Sequence, residues 1–335
     1  MLRRQPERAA LVSRLPEFDR LVLLGDALEL RHGPLRDALA HAAPVLGELG
    51  CAVGEVVVVP GNHDHALLRG WLERRDPEPL GLECQVEWDT REALGAVAQM
   101  LAPARVRVAY PGVWLREDVY AIHGHYGDRH NTVPILERLG AGLTVRVAGE
   151  PAGGPARAED YEAALAPMYA WADTVAQSGG LRLGGGDSFQ VAAWQTLNGG
   201  AGARRSLRRR AMALGLAVAV AGMNRAGIGP LRADVSGIAL RRGALVAFTE
   251  VVARLGVPAA HVIFGHTHRA GPLPGDEPSE WGAIGGSRLL NTGSWVDEPR
   301  FVGADPLRSP YRPGFGAIVT DDGPPELVNL LAGLR

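Results

Sequence analysis

Four short apolar runs in this chain each end in glycine and a polar side chain able to bind a cation. LVLLGD ends at Asp26, VVVVPGNHD at Asn62, His63 and Asp64, VYAIHGH at His123 and His125, and HVIFGHTH at His266 and His268. The donors are carboxylate, amide oxygen and imidazole, with no thiolate among them. That set suits Mn, Fe or Zn, and Mg less well because of the histidines. Aspartate is the one type present whose two oxygens can bridge two cations. Metals paired at ~3.5–4 Å suit in-line attack on phosphorus. Each run alone has an ordinary reading: a capped turn at Asp26, an Asn N-cap at Asn62, polar loop histidines at HGH and GHTH. The four together, each at a strand end, point to one metal-binding crevice.

The elements that must position these tips are legible from periodicity. Apolar runs of four or five residues flanked by turn residues read as buried strands at Leu21–Leu24, Val56–Val59, DVYAIHG and AHVIFG. Helices are expected over Pro34–Leu49, from near Asn62 through Leu72, and in DTREALGAVAQML with Asp89 or Thr90 as its N-cap. The alternation is that of an α/β protein, whose strand ends share one edge where ligands collect. Between residues 131 and 242 the grammar changes. Glycine- and alanine-rich loops separate helical patterns at Tyr161–Gln177, Phe189–Leu197 and Ser206–Ala221, which read as a helical insertion. A helix at Ala244–Leu255 and short strands in SRLLNTGSW and GFGAIVT restore the α/β pattern.

Composition narrows the function classes. The 335 residues are 46% hydrophobic, enough for a sizeable core. Net charge is −2, and every basic residue is arginine. That balance, without basic–aromatic interleaving, disfavours nucleic acid as a partner. The two cysteines form no framework, the N-terminus has no apolar signal core, and the apolar run Ala211–Met223 is short for a membrane span of ~20 residues. A cytoplasmic protein is expected. Five arginines precede that run, so residues 204–223 read as a buried cap helix with a solvated basic start or as a peripheral contact with the inner face of a membrane.

In order, GDALE, GNHDH, HGH and GHTH resemble the motifs of the calcineurin-like metallophosphoesterase family. The resemblance covers about two thirds of the chain. It implies a layered α/β sandwich, core residues 1–130 and 243–335, with 131–242 as a helical cap. It also implies two divalent ions, Mn favoured, with Asp26 bridging them, Asn62, His123 and His266 on one, and His268 on the other. His63 would steady the phosphoryl group or protonate the leaving oxygen, with Asp64 orienting it. Metal-activated water would then hydrolyse a phosphoester or pyrophosphate bond. His125, Arg31 and Arg129 are candidate substrate contacts. Asp128, also beyond a strand tip, reads with the two arginines as solvated loop. Glu29 stands where the family often has Asp or Asn, a mild change. The family's Asp-x-His strand, which supplies two further ligands, has no counterpart in residues 1–20. Either it lies upstream of Met1, so that the first strand is missing from this chain, or the half-site is lost, leaving an inactive or weakly active metal-binding member. The upstream reading is favoured because the other motifs are intact. The helical insertion is similar to that of the UDP-2,3-diacylglucosamine pyrophosphohydrolase branch, which makes a lipid-linked nucleotide one candidate substrate beside a phosphorylated small molecule.

Overall fold

The computed structural model describes residues 2–31, 33–75, 78–133, 136–177, 203–234, 237–297, 299–302 and 305–333. Its centre is a mixed, curled sheet with helices packed against it. Helix α1 (Gln5–Arg14) leads into strand β1 (Arg20–Leu24). Helix α2 (Leu35–Ala52) then crosses to β2 (Glu55–Val59), which pairs parallel to β1. All five residues of β2 are buried. Val56 and Val58 face the large core under the helices, while Val57 and Val59 face a second apolar cluster on the other side of the sheet. Burial on both faces explains why this strand is a continuous valine run and not an alternating one. Each fully buried valine contributes on the order of 1.5–3 kcal/mol.

A short helix α3 (Arg69–Arg74), strand β3 (Glu83–Gln85) and helix α4 (Ala93–Met100) lead to the long β4 (Arg105–Arg116), followed by β5 (Val119–Ile122). Helices α5 (Leu136–Ala148), α6 (Ala158–Gln177) and α7 (Ala203–Arg225) come next, then α8 (Gly237–Leu255). Strands β6 (His261–Phe264), β7 (Ala270–Gly271) and β8 (Arg288–Thr292) complete the sheet in the order β1-β2-β4-β5-β6-β8-β7, with β3 on β4. After a short helix α9 (Pro299–Val302), β9 (Phe315–Ile318) and β10 (Glu326–Asn329) form an antiparallel hairpin. Ala317, Val319 and Leu327 of this region pack on the second apolar cluster.

The direction of the sheet reverses at β4. Its first half runs parallel to β2, and its second half runs antiparallel to β5. The two sets of strands run towards each other: the end of β2 lies beside Val108 and the end of β5 beside Gly112, so their carboxyl ends meet at the middle of β4. The partner switch falls at Pro111 and Gly112, where Pro111 pairs with β3 and Gly112 begins the pairing with β5. Proline lacks a ladder donor. A Cβ on Gly112 would lie 2.2 Å from Tyr120 Oη and 2.5 Å from the Ala121 carbonyl oxygen, so a side chain there has no room.

Some expected elements begin elsewhere. The helix expected from Asn62 starts as a 3-10 turn at His65–Leu68 and becomes α3 only at Arg69, because residues 61–64 wrap around the Asp64 carboxylate. Helix α4 begins after Glu92, since the Asp89 side chain binds Arg91 instead of capping. Helix α6 packs against the large core. Tyr161, Leu165 and Tyr169 belong to the main core, and Glu162 accepts from Tyr110 and Tyr126. Of the two readings of residues 204–223, the buried cap helix does not hold where side chains are described, from residue 214 on: Leu214 and Val218 are exposed, while Val220 is buried. The helix expected at Phe189–Leu197 lies outside the described residues.

Candidate metal centre

Asp26, His123 and His266 come together at the ends of β1, β5 and β6, with one ligand atom from each lying within 4.8 Å of the others. Approach is close because Gly25 has no side chain. A Cβ there, at φ +79°, would stand 2.0 Å from His123 Nδ1. Among the described residues, the only non-glycine positions with positive φ are Asp26, His266 and His268, at 53°, 65° and 60°. Such conformations cost on the order of 1–3 kcal/mol each and persist only where the surroundings impose them. Two of the four tips, those of β1 and β6, therefore carry backbone strain at residues with the candidate chemistry.

Hydrogen bonds decide which atoms can bind a cation. His123 Nδ1 donates to the Leu24 carbonyl at 3.0 Å. Its other nitrogen, Nε2, faces Asp26 Oδ2 at 3.1 Å and Asn62 Oδ1 at 3.3 Å. His266 Nε2 donates to Asp128 Oδ1 at 2.9 Å, which leaves Nδ1 as the ligand atom. Asp26 Oδ1 accepts from the His63 backbone N–H at 2.8 Å. The result is a pocket of lone pairs: Asp26 Oδ2, Asn62 Oδ1, His123 Nε2 and His266 Nδ1. Acceptors gathered at such distances repel one another unless a proton or a cation lies between them. The donor set, two imidazoles with carboxylate and amide oxygen, fits a divalent transition metal. Burial would raise the Asp26 carboxyl, but His123, His63 and His266 hold it well below the usual carboxylate range. Burial would lower His266, and the Asp128 and Asp26 carboxylates outweigh it, raising the imidazole to about 9.

Other expected site residues stand differently. Asp64 is fully buried and accepts from the backbone N–H groups of Gly61, Asp26, Ala27 and Leu28. It ties the tip of β2 to the tip of β1. Burial, together with repulsion from Asp26, raises its carboxyl to about 6. The carboxylate against the His63 ring is instead Glu29, whose Oε2 lies 2.5 Å from Nδ1. Burial lowers the His63 imidazole, and the Glu29 bond and Asp26 raise it by more. His125 is no substrate contact. It is wholly buried behind the cluster against Tyr110, Tyr126 and Tyr169, and burial pushes its imidazole far down. His268 is exposed and stands outside the cluster of three. Arg129 binds Glu150 at 2.5 Å. Arg31 does reach the site, meeting His63 Nε2.

Sequence reasoning missed Asp128, Glu29 and Glu137, which accepts from Arg31 at 3.3 Å, as site-building residues. Asp128 had one signal, its place in the turn immediately after HGH, but the loop reading prevailed. In the structure it is buried in a 3-10 turn spanning His125–Arg129.

The chain matches no family model, and no curated protein matches it.

Proposed function

We propose that the chain is a metal-dependent hydrolase of phosphoester or diphosphate bonds, of the calcineurin-like metallophosphoesterase type. The observation that carries this reading is the pocket of lone pairs from Asp26, Asn62, His123 and His266 at neighbouring strand tips, with both imidazole protons committed elsewhere. The order of the motifs GDALE, GNHDH, HGH and GHTH supports the same reading. A divalent cation, Mn by preference, would polarise a phosphoryl oxygen and acidify water. The chain's own residues do the rest. Asp26, with Oδ1 held by the His63 amide, presents Oδ2 to the cation. Asn62 and the two histidines complete the cage. His63, partly exposed and backed by Glu29, stands beside Asp26, where it can hold a phosphoryl oxygen or give a proton to the leaving group. In the family pattern a second ion shares Asp26 with His268. A lipid-linked substrate would give the exposed apolar residues Leu214 and Val218 of α7 a surface to lie on.

A second reading, a chain that binds one cation and hydrolyses little or nothing, is favoured by one observation. The described residues form one metal cluster, and His268 lies outside it. Metal content and turnover separate the two. The Mn-loaded chain is expected to hydrolyse p-nitrophenyl phosphate or its diester. Asn62→Ala and His266→Ala should each lower the rate by about 100-fold or more, beyond the loss typical of an outer partner. Turnover that survives both substitutions would sink the mechanism. Stoichiometric Mn without turnover would establish the second reading.

A further inference from the structure

Helix α6 sends a carboxylate into the core behind the metal cluster. Glu162 is buried and accepts three hydrogen bonds. Oε1 takes the hydroxyls of Tyr110 and, at 2.8 Å, Tyr126, and Oε2 takes His65 Nε2–H at 2.9 Å. Burial would raise this carboxyl, but His65 and the three donors hold it below its ordinary value. A carboxylate only accepts, so the direction of each bond is fixed. Tyr110 gives its one proton to Glu162, and its oxygen accepts from His125 Nε2–H at 3.3 Å. The other nitrogen of His125, Nδ1, has no hydrogen-bond partner, so the Tyr110 hydroxyl is what orients this ring. Two turns along the same face of α6, Tyr169 packs against both histidines. Its ring centroid lies 5.2 Å from that of His65 and 5.9 Å from that of His125.

These donors belong to the turns that build the cluster. His65 opens the 3-10 turn that follows Asn62. Tyr110 reaches, through His125, the turn that carries His123, whose ring lies 5.6 Å from that of His125. Tyr126 lies in the 3-10 turn that carries Asp128, the partner of His266. Asn62 Oδ1 and His123 Nε2, presented by the first two turns, stand 3.3 Å apart. We propose that Glu162 is a positioning residue of the metal centre, holding the turns of Asn62, His123 and Asp128 at the spacing one cation needs. This rests on reading the cluster as a metal site and not on turnover. Glu162 acts through its three donors, so the geometry of its acceptors matters more than its charge. Two further pairs, Glu159 with Arg75 and Asp173 with Arg69, keep α6 in register along residues 65–75. Helix α6, within segment 131–242, is therefore part of what sets cation affinity.

Calorimetric Mn titration of the full chain tests this, with each variant held below its thermal unfolding midpoint. Glu162→Ala leaves two tyrosines and His65 without their acceptor and should weaken Mn binding by about tenfold or more. Glu162→Gln can still accept from both tyrosines and meet His65 through its amide, so it should retain most of the affinity. Tyr110→Phe removes one hydroxyl and should act in the same direction as Glu162→Ala, by less. Leu165→Ala is the control, since Leu165 is a wholly buried apolar residue of the same helix, outside this network. It should lower the unfolding midpoint and leave Mn affinity unchanged. The paramagnetic resonance spectrum of bound Mn should change in Glu162→Ala and Tyr110→Phe and stay as it is in Leu165→Ala. If Glu162→Ala does not fold, Tyr110→Phe decides alone. Wild-type affinity in both network variants, or an equal loss in Leu165→Ala, overturns the positioning role and leaves the metal reading standing. A wild-type chain that binds no Mn overturns both.

Discussion

His266 shows how much of this site is decided one atom at a time. Its ring could offer either nitrogen, and the Asp128 carboxylate takes Nε2, which leaves Nδ1 as the atom free to bind a cation with Asp26 and His123. Partners of this kind orient a ligand and raise its basicity. Asp128 is buried, with Oδ2 lacking a hydrogen-bond partner, so the carboxylate serves little besides His266. Asp128→Asn keeps the shape and weakens the acceptor. Mn affinity should fall about 10–100-fold by calorimetry, with the thermal unfolding midpoint little changed. An unchanged affinity would show that His266 is oriented by its strained backbone alone, at φ 65°.

At the scale of elements, β4 decides whether there is a site at all. The β1 and β2 tips and the β5 and β6 tips belong to halves of the sheet that run in opposite directions. They meet because β2 pairs with the first half of β4 and β5 with its second half, so that the opposed strands end side by side near its middle. Gly112 stands at the changeover, against Tyr120 Oη and the Ala121 carbonyl. Both neighbours are buried, and the carbonyl is backbone, so neither yields easily. Gly112→Ala should cost about 1–3 kcal/mol, as overpacking does, read as a lower urea midpoint. It should also weaken Mn binding, because the two halves lose their mutual placement. Full stability in this variant would mean that the changeover has room for a side chain after all.

For the whole molecule, acid is the telling stress. His130 is partly buried, with Nε2 2.7 Å from Tyr161 Oη. Burial first, then the charges of Arg129, Arg254 and Arg138, lower its imidazole to about 3. The unfolded chain takes up a proton near the ordinary value of 6.5, which the folded chain refuses until about 3. Between those values the unfolded state binds more protons, so stability falls as pH falls. The slope from this one group approaches about 1.4 kcal/mol per pH unit. Urea unfolding between pH 7 and 4 should show it, and His130→Gln should flatten the profile. An equal slope in the variant would assign the acid sensitivity to other groups.

Much of this molecule was written locally. A run of four valines flanked by turn residues reads, by its length and β-branched content, as a doubly buried strand, and a polar residue after its glycine then stands at the strand's end. That local logic identified β1, β2, β5 and β6 and brought Asp26, Asn62, His123 and His266 forward as partners. Periodicity carries no information on the direction in which distant strands run, so the reversal at β4, and the register that makes the tips meet at its middle, were decided by the tertiary structure. The partner of each polar group was decided there too. Glu29 takes the role expected of Asp64, because backbone amides of the β1 tip surround the Asp64 carboxylate and Glu29 is the one that meets His63. His125 and His268 carry the same side chain two residues beyond a ligand histidine, yet one is buried and the other exposed. Spacing along a chain sets what a residue can do, and the packing of segments far apart in sequence sets which atom meets it.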